Sequence, residues 1–163
     1  MSTVDGPKRD TVQVPGAPVR ILLIQAPYYD EIVGGMRQGV ERVVAEAGGL
    51  LEIVDVAGAF ELPAALRMAL DADDEEPRWD GFVLLGCVVR GETDHYDHIC
   101  REACSGVMNI STDSGAAIGF GLLTVHTLQQ AIERSRQDQH NKGAEAAQAA
   151  LMQVALRRRW GLG

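Results

Sequence analysis

Apolar residues along the chain fall into two kinds of pattern. One kind is short and nearly unbroken: Ile21 to Ile24 within Arg20–Gln25, then Leu51–Val56, Gly81–Val89 and Ala116–Leu122. Continuous apolar runs of this length suit strands covered on both faces, as in a parallel sheet. The other kind follows the helix period. Ile32, Met36, Val40, Val43 and Ala47 predict a helix from Asp30 to Ala47, closed by Gly48 and Gly49. Further helices are expected from about Leu62 to Leu70, about Asp97 to Thr112, Thr127 to Arg134, and Asn141 to Arg158, with Asn141 as the N-cap of the last. The polar stretch at residues 1–10 reads as a loose arm, and Thr11–Val14 as a short β-prone segment ended by Pro15, Gly16 and Pro18. The acidic stretch Asp71–Arg78, which contains Pro77, reads as a solvated loop.

Strands that alternate with helices, each strand apolar throughout, imply an α/β domain with a parallel sheet and helices on both faces. The expected organisation is a flexible N-terminal arm with a short strand over residues 1–17, and one domain over residues 18–163. Ligands of such folds sit at the carboxyl ends of the strands. Chemistry should therefore gather just after residues 25, 56, 88 and 122.

Each of those positions carries residues suited to a site. Tyr28 and Tyr29 follow the first strand, and an aromatic there can offer a flat face to a planar ring, although adjacent aromatics more often serve packing. The second strand leads into Ala57-Gly58-Ala59-Phe60-Glu61-Leu62-Pro63. Small residues here let backbone approach a ligand, and Glu61 can accept hydrogen bonds from hydroxyls; a turn whose Glu favours the next helix start explains the segment equally well. Arg90 to His98 follows the third strand and holds two of the four histidines, His95 and His98, at the opening of a helix. Free N–H groups at a helix start attract anions, and imidazole suits proton transfer near neutrality. Beyond the fourth strand, Arg134 and Lys142 lie near a helix start, where an anion site and a capped solvated loop are both consistent.

Composition narrows the classes. The chain has 163 residues, 46% hydrophobic and 23% charged, enough for one core and little more. A net charge of -8 argues against a nucleic-acid surface, and the basic run Arg157–Arg159 is explained by its place at a helix end. Three cysteines without CxxC spacing fit a reducing compartment. No signal-like start or bilayer-length apolar run is visible, so the protein is expected to be soluble and cytoplasmic, with no membrane partner. His95 and His98, even with Cys100 or Cys104, do not make the converging ligand set that zinc needs, so no metal is expected. Neither GxxxxGK[ST] nor GxGxxG occurs.

Taken in order, the segments resemble the lumazine synthase family over about residues 18–158. Gly58-Ala59-Phe60-Glu61-Leu62-Pro63 is similar to the family's G-[SA]-[FW]-E-[IL]-P. Gly86 to Asp97 resembles G-x-[VL]-I-R-G-x-T-x-H-[FY]-[DE], and Phe120-Gly121-Leu122-Leu123-Thr124 resembles F-G-[VL]-[LI]-T. Gln130 to Arg134, followed by Asn141-Lys142-Gly143 and Glu145, resembles Q-A-x-x-R and N-K-G-x-E. The resemblance implies a flavodoxin-like three-layer αβα sandwich on a four-stranded parallel sheet, with no cofactor. It implies a transferase of riboflavin biosynthesis that condenses 5-amino-6-ribitylaminouracil with 3,4-dihydroxy-2-butanone 4-phosphate. The implied assembly is a homopentamer, or a decamer of two pentamers, with active sites between subunits and riboflavin synthase as a further partner.

Carried over by position, the resemblance gives Tyr28 the stacking role on the pyrimidine. Ala59 and Glu61 would hold the ribityl chain, with Phe60 between them also binding substrate. Val88 and Val89 would read the pyrimidine edge through their backbone, while Gly91, Glu92 and Thr93 would face the phosphate. His95 would move protons. Phe120, Arg134 and Lys142 would come from the adjacent subunit, to cover the ring, pair with phosphate and reach the substrate. Pro27, Tyr29 and Asp94 depart from commoner family residues; Tyr29 stands where many relatives have Asn, and Asp94 where Pro is frequent. Ser135 to His140 also lacks the glycine-containing turn of capsid-forming relatives, which implies no sixty-subunit shell. Two other readings compete: a flavin- or lumazine-storing protein that kept the pocket, and a flavodoxin-like regulatory domain. The second would want an acidic pair directly after the first strand, and none stands there.

Overall fold

The computed structural model describes residues 10–75 and 78–162. Four strands, β1 (Arg20–Gln25), β2 (Leu50–Asp55), β3 (Gly81–Val89) and β4 (Ile118–Val125), form a sheet in the order β2-β1-β3-β4. All three pairings are parallel. The helices are α1 (Asp30–Glu46), α2 (Leu62–Glu75), α3 (His95–Ser114), α4 (Leu128–Ser135) and α5 (Lys142–Arg159), with a 3₁₀ turn at Ala59–Glu61.

Alternate residues of each inner strand feed separate cores, which is why the strand sequences are apolar without a break. Ile21, Leu23, Val83 and Leu85 pack with Met36 and Val40 of α1 and Leu151 of α5. Leu22, Ile24, Phe82 and Leu84 pack with Leu62 and Leu66 of α2 and Val107 of α3. The result is the expected three-layer α/β sandwich. From β1 the chain crosses outward to β2 through α1, then returns past β1 to β3 through α2 on the opposite face. The carboxyl ends of β1 and β3 therefore flank a crevice, the usual ligand position in such sheets. No helix among the described residues is long and apolar enough to cross a membrane.

The helix α5 lies close against β4 because small residues face each other. A Cβ at Gly119 would overlap the carbonyl oxygen of Ala146, and Ala147 and Ala150 are fully buried nearby. Gly143 is required in the same way: a Cβ there would overlap the carbonyl oxygen of Met36 in α1. Beside it, Asn141 is 1% exposed and meets all its hydrogen-bonding capacity with backbone. Its Oδ1 accepts from Ala144 N at 2.9 Å, while its Nδ2 donates to the carbonyls of Gly35 (3.0 Å), Ser135 (3.2 Å) and Arg136 (2.9 Å). This side chain ties α1, the end of α4 and the start of α5 together. Asn141→Ala removes a helix cap, typically about 1 kcal/mol, and strips buried carbonyls of a donor, about 1–3 kcal/mol more. The expected loss of about 2–4 kcal/mol should lower the thermal midpoint by roughly 5–15 °C. Calorimetry checks it; a loss below about 0.5 kcal/mol, the size of an ordinary surface change, would mean the network is dispensable.

Several boundaries differ from the sequence expectations. Helix α2 runs to Glu75, into the stretch read as a solvated loop, because nothing before that point breaks a helix and Asp71 accepts from Arg67 one turn back at 2.5 Å. The remainder of that stretch includes residues 76 and 77, outside the described residues. Strand β4 begins and ends later than expected, continuing to Val125 because β3 offers it partners up to Val89. Thr11–Val14 pairs with no strand among the described residues; Val12 and Val14 instead pack against the α1/α5 core. The arm's first nine residues lie outside the described residues. The basic run at the end of α5 has more specific work than balancing a helix end. Arg158 donates to the carbonyls of Pro15 (2.9 Å) and Ala17 (2.7 Å) and to Asp80 (3.0 Å), while Asp80 accepts from Arg20 N at 2.6 Å.

Candidate active site

A cleft of about 710 Å³ opens at the carboxyl ends of β1, β2 and β3. This is within the ordinary range for small-molecule sites, about 300–1,000 Å³. Its walls come from four segments distant in sequence. Tyr28 and Tyr29 follow β1; Ala57 to Glu61 follow β2; Cys87, Val88 and Val89 end β3; Gly91, Thr93, His95, Tyr96 and Ile99 belong to the next loop and the first turns of α3.

Two aromatic rings present uncovered surface at this cleft, Tyr28 at 77% and Phe60 at 59% exposure. Exposed aromatics beside a cavity are suited to stacking on a flat ligand. The 3₁₀ turn holds Glu61 at the rim, with its N–H donating to the Gly58 carbonyl at 3.2 Å. A Cβ at Gly58 would stand 3.2 Å from the Glu61 carboxylate, so glycine leaves that carboxylate room. Cys87 is buried at the inner wall, and burial pushes its thiol up to about 11.

His95 is the first residue of α3 and is exposed, following Asp94 as N-cap. The Asp94 side chain makes no cap hydrogen bond, and of the first turn's N–H groups that of Asp97 donates to the Asp94 carbonyl at 3.0 Å, so a helix start that favours an anion is left without a side-chain cap. The neighbouring Tyr96 anchors this helix start. Its ring meets that of His126 edge-to-face, with centroids 6.2 Å apart, and burial raises its pKa above the ordinary phenol value. The Arg90 guanidinium lies 5.5 Å from the Tyr96 ring centroid and 3.5 Å from Asp97. His98 meets Arg101, with Nδ1 and Nη2 3.0 Å apart. Among the described residues no group of three or more metal-ligating side chains gathers.

Of the residues singled out from sequence, Tyr28, Ala59, Phe60, Glu61, Val88, Val89, Gly91, Thr93 and His95 line the cleft. Glu92 lies in the same loop but does not line it. Phe120, Arg134 and Lys142 stand elsewhere on the chain. Phe120 is 37% exposed in the middle of β4; Arg134 on α4 donates to the Gln130 carbonyl at 2.9 Å; Lys142 opens α5 and pairs with Glu145 at 2.8 Å. Among the described residues no Lys or Arg lines the cleft itself. The sequence reading passed over Cys87, Tyr96 and Ile99 as site residues, and named Tyr29 as one of two adjacent aromatics at a strand end and as a departure, without giving it a role in the site. Helix spacing offered a signal for two of them, since positions 95, 96 and 99 fall on one face of α3.

Comparison with known proteins agrees with this layout. The family model described as 6,7-dimethyl-8-ribityllumazine synthase matches residues 18–158. A protein of Rhizobium meliloti (strain 1021) named 6,7-dimethyl-8-ribityllumazine synthase 1 is 42% identical over 145 residues, 88% of this chain and 95% of its own. Proteins named 6,7-dimethyl-8-ribityllumazine synthase from Paramagnetospirillum magneticum and Nitrobacter winogradskyi are each 41% identical, over 88% and 94% of this chain and 97% and 93% of theirs. On the strength of that identity and coverage, the chain belongs to the 6,7-dimethyl-8-ribityllumazine synthase family.

Proposed function

We propose that the chain condenses 5-amino-6-ribitylaminouracil with 3,4-dihydroxy-2-butanone 4-phosphate to give 6,7-dimethyl-8-ribityllumazine, phosphate and water. The observation that carries this reading is that two of the family's motifs, Gly58 to Pro63 and Gly86 to Asp97, converge with Tyr28 on one cleft though they are distant in sequence. An amine must attack a ketone and expel water, phosphate must leave, and a second amine must close the ring. Such a sequence needs proton transfer, an anion clamp and two substrates held together; positioning alone can supply up to roughly 7–11 kcal/mol.

Within the cleft, Tyr28 stacks on the pyrimidine, Ala59, Phe60 and Glu61 hold the ribityl chain, and the backbone at Val88 and Val89 reads the ring edge. Gly91, Glu92 and Thr93 face the phosphate beside the α3 helix start, and His95 shuttles protons. A phosphate ester wants a cation, and the described residues lining the cleft of one chain include none. Arg134 and Lys142 meet that need from a neighbouring copy, with Phe120 closing over the ring. The exposed apolar edge of β2, with Leu50 at 62%, Ile53 at 39% and Val54 at 37% exposure, further favours assembly of copies. The assembly is a homopentamer or a pair of pentamers, located in the cytoplasm.

The test is turnover by the purified chain supplied with both substrates. Lumazine and inorganic phosphate should appear in equal amounts. Tight riboflavin binding without lumazine formation would instead mark a storage protein and refute the enzymatic reading.

A further inference from the structure

We infer that Tyr29 is a positioning residue whose ring braces Tyr28 in the orientation that stacking on a planar ligand requires. The inference rests on Tyr28 being the stacking residue proposed above. A ring that is 77% exposed has few contacts to fix its rotamer. The one ring that meets Tyr28 among the described residues is Tyr29, with centroids 5.2 Å apart and planes 69° apart, an edge-to-face arrangement. Tyr29 is itself held, since it packs against the α1/α5 core and lines the cleft with Cys87. The pair therefore has one anchored member and one presented to ligand.

The local backbone adds a second, independent observation. Tyr29 occupies the N-cap position of α1, and its side chain makes no cap hydrogen bond. Helix starts favour Asn, Asp, Ser or Thr there, because a short oxygen can take an orphan N–H. The helix keeps only Asp30 and Glu31 in its first turn as compensation. A position that forgoes its local preference for a ring facing a cleft is the kind of site where function overrules helix chemistry.

The experiment compares Tyr29→Phe, Tyr29→Asn and Tyr29→Ala, each in the native and the Tyr28→Ala background. The readouts are KM for each substrate and Kd for 6,7-dimethyl-8-ribityllumazine, followed by its fluorescence. Tyr29→Ala and Tyr29→Asn should raise the KM of the pyrimidine and the Kd of the lumazine by roughly two- to tenfold, the range of an aromatic pair. The KM of the ketophosphate should stay within about twofold, and Tyr29→Phe should rescue the loss by keeping the ring. In the Tyr28→Ala background the Tyr29 changes should have no further effect. If Phe fails to rescue, if both substrates' KM values move together, or if the losses add in the double variants, the bracing role is wrong. A wild-type chain that forms no lumazine would overturn the proposed function, and the lumazine Kd series would still decide the bracing separately.

Discussion

His95→Ala should lower kcat by about 10²–10⁴-fold while the affinity for the pyrimidine changes by less than about threefold. The expectation comes from counting what else around the cleft can carry a proton. Cys87 is pushed up to about 11 by burial, and burial likewise raises Tyr29 and Tyr96 above the ordinary phenol range. Those three groups stay protonated near neutral pH and can donate hydrogen bonds, but they are poor bases there. Glu61 is proposed to be occupied by ribityl hydroxyls. His95 is the one histidine in the lining; His98, His126 and His140 stand outside it. It sits exposed at the first position of α3, where the neighbouring Tyr96 ring packs against His126 and Arg90, so its loss removes the imidazole without loosening the wall. Single-turnover rates and lumazine Kd, measured on the same variant, separate chemistry from binding. A drop below about tenfold together with a large rise in Kd would make His95 a binding residue and not a proton carrier.

The sheet was legible in the sequence because each inner strand is covered on both faces, leaving the apolar runs at 21–24 and 81–89 unbroken. The fourth strand was harder to bound. Gly119 and Gly121 serve its close approach to α5, and Thr124 near its end is polar and exposed, so its apolar signal is diluted. The end of α2 was misplaced for the opposite reason. Acidic residues suggested solvent, and solvent exposure is compatible with a helix as well as a loop.

The site was legible where several motifs had to meet at strand ends, and three of the four expected positions do meet. What a single sequence cannot separate is a residue that makes chemistry from one that holds its neighbour in place. Asn141-Lys142-Gly143 illustrates this. It reads as one functional motif, yet Asn141 is a buried cap and Gly143 is glycine because α1's backbone leaves no room. Those two roles are structural and fix the start of α5, so that Lys142 projects from a rigid point. Cys87 escaped notice for the converse reason, since small apolar residues beside a core look like packing until a cleft is seen beside them. Phe120, Arg134 and Lys142 were expected from an adjacent subunit, and the fold of one chain indeed leaves them away from its own cleft, where only a second copy could bring them.

That distinction gives the second large expected effect. Arg134→Ala should raise the KM of the ketophosphate by about 10²-fold or more, since removing one partner of a desolvated charge pair typically costs about 2–5 kcal/mol. Pyrimidine binding should barely change. Arg134 has no part in the cleft of its own chain, and its one described hydrogen bond goes to the Gln130 carbonyl within α4. Its guanidinium therefore has to serve a neighbour's cleft if it serves any. In a ring built by head-to-tail contacts, every site takes His95 from one chain and Arg134 from the next. Two nearly inactive variants, His95→Ala and Arg134→Ala, should then complement each other when co-assembled at equal amounts. About a quarter of the sites would regain both residues. Light scattering on the same sample should find particles of five or ten chains. Sites built within one chain would give no recovery on mixing, and megadalton particles would mean that the glycine-free Ser135–His140 turn does not prevent a shell.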